Sequence, residues 1–370
     1  MNGRVSLARK NLFQDRRRAL LAVMGVGVAL LLVLVLDGIF AGAMRQVTAY
    51  MKESPADVFV SQQGVRTMHM STSALPTETV EAARKVKGVA WAEGLRYTTG
   101  IIGVGEERRL TYVLGYDTAT GRGGPRRIAV GRAPGPGQIL VDKIAADELG
   151  VGIGDTVTVL GRPFRVSGLS RNGTNIINTT VFIGGDDFAR LRGPTVAYVI
   201  VGAGVGISPE QLARRLGSAL PRTTVQTRAE FATQEGRIIQ DMAADVMNIM
   251  SAIGFLIALA VVALTLFGST LGKLREYGVV KALGAGPGRL AATVAVQAVW
   301  SIALGLAVAV VLALVVGIVI SSLATNILVV LEPKSIMRTG AAAVVIGGAA
   351  AIIPLRRVMR VDPATAFRRL

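Results

Sequence analysis

Four long apolar runs interrupt an otherwise ordinary mixture of polar and hydrophobic positions along the chain. They cover residues 19–43, 248–271, 290–323 and 336–355. About 20 apolar residues of helix cross a hydrocarbon core of about 30 Å, so each run predicts a membrane span. Asp37 alone interrupts the first run, and the fourth, with Arg338 near its start, is the weakest.

The first run also has features of a cleaved signal peptide. Arg16, Arg17 and Arg18 precede it, and small residues end it. Signal peptides have apolar regions of about 7–15 residues, whereas 18 residues precede Asp37 in this run. We therefore interpret it as a retained helix.

The segment 44–247, between the first two runs, has the composition of a soluble domain. Period-two alternation predicts strands at 57–62, 100–104, 110–116, 138–141, 181–183 and 197–202, with two more within 150–170. Helical patterns cover 77–86, 143–149 and 208–216. Because no proline occurs from 222 to 286, we expect the helix that begins at Arg228 to continue into the second span. The predicted fold is a four-helix membrane domain with a large α+β domain between helices 1 and 2.

Basic residues concentrate beside the spans on one side. The segments 1–18, 272–289 and 356–370 hold 15 Lys and Arg residues against three acidic ones, whereas 324–335 holds Glu332 and Lys334. Cytoplasmic flanks carry the excess of basic residues. Both termini are therefore predicted on the cytoplasmic side of a bacterial cytoplasmic (inner) membrane, with residues 44–247 on the outer side.

Composition excludes several classes of function. The net charge is +17, but residues 44–247 hold 24 basic and 19 acidic residues, so most of the excess belongs to membrane flanks and indicates no nucleic acid. Without cysteine the chain has no disulfide, thiolate catalyst or zinc–thiolate site. With one histidine and no distinctive carboxylate pair, no catalytic set is expected, and no cofactor or metal site is assigned.

Three segments carry a family resemblance. The loop LREYGVVKALGAGPGRL (274–290) follows the pattern R-E-x-G-x-x-K-A-x-G, and residues 131–169 and the tail VDPATAFRRL (361–370) add to it. The chain thereby resembles the MacB/FtsX-type ABC transporter permease family, although Phe367 stands where the tail usually has leucine. The resemblance implies a MacB-like periplasmic core domain, an FtsX-like permease domain, a dimer of permease chains and two cytoplasmic ATPase subunits.

The loop 272–289 is the expected docking segment for the ATPase. A P-loop needs G-x-x-x-x-G-K-[ST] to bind phosphate, and the single Gly–Lys pair, Gly272–Lys273, precedes Leu274 and lacks the upstream glycine. ATP and Mg²⁺ are therefore expected on a partner chain. The candidate coupling residues are Arg275, Glu276, Tyr277, Gly278, Lys281, Ala282, Leu283 and Gly284. The alternative is a plain charged turn.

Residues 1–18 predict an amphipathic helix on the cytoplasmic membrane surface, the alternative being a frayed basic flank. Asp37 lies about 27 Å along the first span. It is therefore expected near the outer interface, where an aspartate simply meets water, and the alternative is a functional intramembrane carboxylate.

Soft ligands concentrate near the outer edge of the membrane. The candidates for a substrate path are Met44, Met51, Met68, His69, Met70, Met242, Met247 and Met250. Imidazole and thioether groups are ligands for haem iron or soft copper, and methionines line adaptable apolar grooves. The alternative is ordinary packing by the methionines and a surface-exposed His69.

The sequence therefore supports a permease that exports a hydrophobic or amphipathic molecule, in the class of haem, lipid, glycolipid or antibiotic. A subunit that transmits force to an external partner is the second hypothesis, and an uncoupled membrane-anchored sensor is the third. Membrane lipids and a periplasmic adaptor are the further expected partners. Substrate and dimer composition stay open.

Overall fold

The structure is a computed structural model that describes residues 16–69, 71–171, 173–174, 178–272, 279, 281, 286–324 and 326–359. The chain divides into a helical unit, Met1–Gly42, Ala243–Leu323 and Leu328–Leu370, and an α/β unit, Ala43–Met242 and Ala324–Ile327. Most of the predicted amphipathic helix 1–18 and the tail motif 361–370 lie outside the described residues.

Helices and strands alternate through the α/β unit, and long helices precede and follow these elements in the sequence. The helices are α1 (Arg16–Val47), α2 (Ala49–Glu53), α3 (Glu78–Arg84), α4 (Lys143–Leu149), α5 (Gly185–Arg192), α6 (Pro209–Ala219), α7 (Arg228–Gly272), α8 (Pro287–Leu323) and α9 (Pro333–Met359). The strands are β1 (Val58–Gln62), β2 (Val89–Val104), β3 (Glu107–Tyr116), β4 (Ile128–Gly131), β5 (Gln138–Asp142), β6 (Thr156–Val159), β7 (Arg162–Ser170), β8 (Thr179–Gly184), β9 (Tyr198–Ala203) and β10 (Thr223–Thr227).

Within the described residues, four helices are long and apolar enough to cross a membrane. The apolar stretches are Val23–Val47 in α1, Ala244–Leu264 in α7, Ala298–Leu323 in α8 and Pro333–Ile352 in α9. These helices confirm the predicted fold class. The helices continue past the apolar runs because a hydrogen-bonded backbone extends until a capping or breaking residue; α8 and α9, for example, begin at prolines.

Small residues permit close helix contacts in the helical unit. A Cβ on Gly25 would lie 2.6 Å from Val261 Cγ1, and a Cβ on Gly305 would lie 2.6 Å from Val26 Cγ1. Eight of the thirteen buried residues in this core are alanines. Association of helices in lipid depends on such close packing, so these glycines bring α1 against α7 and α8.

The segment that precedes α9 packs against a second pair of glycines on α1. A Cβ on Gly42 would lie 1.6 Å from the carbonyl oxygen of Leu328, and a Cβ on Gly38 would lie 2.9 Å from Val329 Cγ1. The Val330 N–H donates to the Gly38 carbonyl oxygen at 2.9 Å. Only glycine leaves room for this main-chain contact.

One mixed sheet forms the centre of the α/β unit, with the strand order β10-β1-β9-β2-β3-β8-β5-β7-β4 and β6 paired with both β2 and β7. The first part of β2 pairs with β9, ending at Leu95↔Tyr198, and the second part pairs with β3 from Arg96↔Gly115. The strand predicted at 100–104 is therefore the end of a much longer one. Because of this change of partner, β2 belongs to both halves of the sheet.

Short helices of the α/β unit begin and end where their capping residues predict. Ser208 accepts a hydrogen bond from the Gln211 N–H at 3.3 Å, with Pro209 in the first turn. Asp142 accepts from the Ile144 N–H at 3.1 Å, and Gly150, with φ of 65°, ends that helix. The helices predicted at 143–149 and from 208 are thus confirmed.

Asp142 also joins distant segments. Its carboxyl group accepts from the Gly173 N–H at 2.8 Å and from the Thr174 hydroxyl at 2.6 Å. Burial raises the pKa of Asp142 above its ordinary 3.8, and these hydrogen bonds partly oppose that effect.

Candidate functional site

Most of the candidate coupling residues lie outside the described part of the chain. Lys281 is described; it is helical and half-buried. The other seven, which lie outside the described residues, are Arg275, Glu276, Tyr277, Gly278, Ala282, Leu283 and Gly284. Their role stays a prediction.

The methionines of the candidate substrate path separate into two environments. Met51 and Met68 are 0% and 3% exposed and share one apolar cluster of the α/β unit, where they pack as core residues. Met44 lies against Gly236 of α7. Met242 and Met250 are exposed and Met247 is half-buried, all on α7, and Met70 lies outside the described residues.

His69 bonds to a carboxyl group that sequence reasoning missed. Glu235, on α7, is fully buried. One of its oxygens accepts from the Met68 N–H at 2.6 Å, and the other accepts from the His69 N–H at 3.3 Å and contacts His69 Nδ1. Two backbone N–H groups and one ring nitrogen of Met68 and His69 therefore contact the Glu235 side chain of α7.

Aromatic rings enclose this contact. The ring of Tyr112 lies edge-on to His69 at 4.6 Å, and the Tyr198 hydroxyl donates to the Thr67 carbonyl oxygen at 3.1 Å. Burial raises the pKa of Tyr198 above its ordinary 10.0, and Glu235 raises it further, so the phenol keeps its proton and remains a donor. The His69 side chain is 13% exposed, so the expectation of a surface histidine is wrong. Burial of Glu235, which no local pattern reveals, explains the difference.

The start of α7 is fixed by a capping box beside this contact. The Thr227 N–H donates to the Glu230 carboxyl group at 2.8 Å, and the Glu230 N–H donates to the Thr227 hydroxyl at 3.2 Å. The sequence T-R-A-E at 227–230 carries the signal for this capping box.

A polar cleft of about 400 Å³ lies between α3 and α5 in the α/β unit. Arg84 bonds to Glu93 at 3.0 Å on one wall. The Nε of Arg96 is buried with no hydrogen-bond partner among the described residues, and burial lowers the pKa of Arg96, opposed by Asp186. Both charge signs line the cleft, so it suits a polar group rather than an apolar molecule. Its residues come from distant segments, which no sequence spacing reveals.

Asp37 has a partner in the helical unit. Its side chain is 4% exposed, and the Arg338 guanidinium donates to it at 2.5 Å. The expectation that Asp37 simply meets water is therefore wrong, because α9 supplies a counter-charge from a residue 301 positions away.

Two family models together match most of the chain. The MacB-like periplasmic core domain covers residues 19–219, and the FtsX-like permease C-terminal domain covers residues 248–363. The chain belongs to the MacB/FtsX-type ABC transporter permease family. The MacB-like match includes α1 and most of the α/β unit, and the FtsX-like match includes α8 and α9.

Relatives that match nearly the whole length are named ABC transporter permeases. An uncharacterized ABC transporter permease of Mycobacterium bovis is 27% identical over 362 residues, which covers 95% of this chain and 96% of the relative. A different uncharacterized ABC transporter permease, from Mycobacterium tuberculosis, is 27% identical over 357 residues, with the same coverage.

Two solved structures resemble the α/β unit. The periplasmic region of MacB from Actinobacillus actinomycetemcomitans is 13% identical, with a TM-score of 0.38, and covers 50% of this chain and 94% of its own. The extracellular domain of the transporter YknZ from Gram-positive bacteria is 14% identical, with a TM-score of 0.37, and covers 46% and 99%. Membership of the MacB/FtsX-type permeases rests on the sequence matches.

Proposed function

We propose that this permease is the membrane subunit of an exporter whose ATP is hydrolysed by a separate ATPase, in two copies, docked on residues 272–289. The helix α7 carries the proposal. It begins at the capping box in the α/β unit, includes the apolar span Ala244–Leu264, and ends at Gly272, next to the docking segment. A continuous helix would couple motion of the α/β unit to the membrane mechanically.

The proposed orientation places both termini in the cytoplasm and the α/β unit on the outer side of the bacterial cytoplasmic (inner) membrane. Its support is the excess of Lys and Arg in segments 1–18, 272–289 and 356–370. A second copy of the permease, membrane lipids and a periplasmic adaptor complete the proposed assembly, as the family resemblance implies.

The proposed substrate is hydrophobic or amphipathic. Met242 and Met250 are exposed on α7 and provide an adaptable apolar surface that such a substrate could contact. Haem is the most specific version, with His69 as the candidate ligand, and Glu235 would orient its imidazole. Haem added to the purified permease should shift its Soret band, and His69→Ala should abolish that shift. An unchanged Soret shift in His69→Ala would contradict haem binding by His69.

Force transmission to an external partner, without a transported substrate, is the second candidate. The continuous helix α7 favours it as much as it favours export. ATP-dependent movement of a labelled lipid or haem in proteoliposomes would distinguish the two, because a force-transmitting subunit would move neither.

The test of ATPase coupling is a double substitution with a matched control. An ATPase subunit should copurify with the permease, and Glu276→Ala with Lys281→Ala should lower its activity at least tenfold, because truncation of one partner of a buried charge pair costs about 2–5 kcal/mol. The control, Glu332→Ala with Lys334→Ala, removes the same two charges from exposed positions before and in α9. Equal activity in both double variants, or isolation of the permease without an ATPase, would contradict the proposal.

A further inference from the structure

A small cavity of about 30 Å³ lies beside α2 in the α/β unit, and two arginines line it. Tyr50, Arg126 and Arg171 contribute to its wall. The Tyr50 hydroxyl donates to the Gly123 carbonyl oxygen at 2.9 Å, which fixes the loop that carries Arg126. Burial raises the pKa of Tyr50 above its ordinary 10.0, so the phenol stays protonated and keeps that bond.

Ion pairs between described residues include four other arginines of the α/β unit. Arg84, Arg109 and Arg122 each form an ion pair with a glutamate. Arg126 and Arg171 are exposed, and no ion pair between described residues includes either. Glu53 is the one carboxyl group among the described lining residues. Two guanidinium groups against one carboxyl group give the cavity a net positive charge.

Chain connectivity keeps this cavity close to the membrane. The apolar span Val23–Val47 has 25 residues, or about 37 Å of helix, which exceeds a hydrocarbon core of about 30 Å. Tyr50 follows that span by three residues, and three residues reach at most about 10 Å. Exposed Arg45 and Lys52 flank the same junction. One wall of the cavity, at Tyr50, therefore lies within about 10 Å of the end of this span, which leaves the bilayer at the leaflet on the side of the α/β unit.

We propose that Arg126 and Arg171 bind the phosphate of an anionic phospholipid in that leaflet, with the acyl chains left in the bilayer. Planar guanidinium groups match phosphate oxygens with paired N–H donors. Bound there, the lipid links the α/β unit to the bilayer surface where α1 ends. The proposal needs only that α1 crosses the bilayer, so it does not depend on ATP coupling or on the identity of a substrate.

The experiment measures lipid retention by the full chain. The permease is purified from nanodiscs made with and without phosphatidylglycerol, and the bound lipid is counted by native mass spectrometry after a detergent wash. The test variant is Arg126→Gln with Arg171→Gln. The control is Arg108→Gln with Arg162→Gln, which removes two exposed arginines elsewhere in the same unit. Arg126→Lys with Arg171→Lys keeps the charge and tests folding of the site.

Wild type and control should retain phosphatidylglycerol, and the test variant should bind it about tenfold or more weakly, since each basic residue at an anionic surface adds roughly a factor of five. The lysine variant should retain more than the glutamine variant. Equal retention in test and control variants would overturn the proposal. So would equal retention of phosphatidylcholine, or displacement of the lipid by millimolar inorganic phosphate, which would indicate a free-phosphate site.

Discussion

Replacement of Glu235 by alanine should destabilise the α/β unit more than any other single charge removal on α7. The buried Met68 N–H loses its 2.6 Å partner, which costs about 2 kcal/mol for a buried donor. The two groups of His69 that contact Glu235 are partly open to water, because the side chain is 13% exposed. Loss of both contacts should cost about 1 kcal/mol. The expected loss is therefore about 3 kcal/mol, or roughly 100-fold in the folding equilibrium.

Urea titration in detergent measures this loss. Trp91 lies in the α/β unit, so its fluorescence reports unfolding of that unit in a Trp300→Phe background. The urea midpoint should fall with an unchanged slope. Glu235→Gln keeps an acceptor for Met68 and should cost about 1 kcal/mol. The control, Asp241→Ala, removes an exposed carboxyl group from the same helix and should stay within about 0.5 kcal/mol. Equal midpoints for Glu235→Ala and Asp241→Ala would refute the reasoning.

Three further outcomes follow from other contacts. Arg338→Ala leaves the carboxyl group of Asp37 buried without its partner and should cost about 3 kcal/mol in thermal or SDS unfolding, whereas Asp37→Asn should cost about 1 because Arg338 is 71% exposed; equal losses would contradict this asymmetry. Gly42→Ala places a Cβ 1.6 Å from the Leu328 carbonyl oxygen and should displace the segment before α9, seen as faster proteolysis there, with Gly268→Ala as the unhindered control. Burial raises the pKa of Asp142 above 3.8, so the folded state holds this proton more tightly than the unfolded state does. Stability should therefore fall as the pH rises from the pKa of the unfolded state to the higher pKa of the folded state. Asp142→Asn should remove that part of the pH dependence, and an identical slope in the variant would contradict the assignment to Asp142.

The sequence was informative wherever a local pattern determines a local structure. Apolar runs predicted the four long helices, and the helical patterns at 143–149 and 208–216 predicted two short ones. These features depend on neighbours within a few residues, so a single chain read in order contains them.

The contacts that escaped prediction all join residues far apart in sequence. Glu235 meets His69 across 166 positions, and Asp37 meets Arg338 across 301. A buried carboxyl group looks the same in sequence as an exposed one, because its burial depends on packing of the whole unit. The T-R-A-E capping box at Thr227 is the exception, since its two partners lie three residues apart in the sequence.

The shared strand β2 has a consequence for dissection of the α/β unit. Its residues up to Leu95 complete one half of the sheet and those from Arg96 complete the other. Any truncation that isolates one half removes a central strand from its neighbour and exposes two unpaired backbone edges. Separate expression of the halves should therefore yield aggregates, and a domain exchange with a relative must carry the whole segment in one piece.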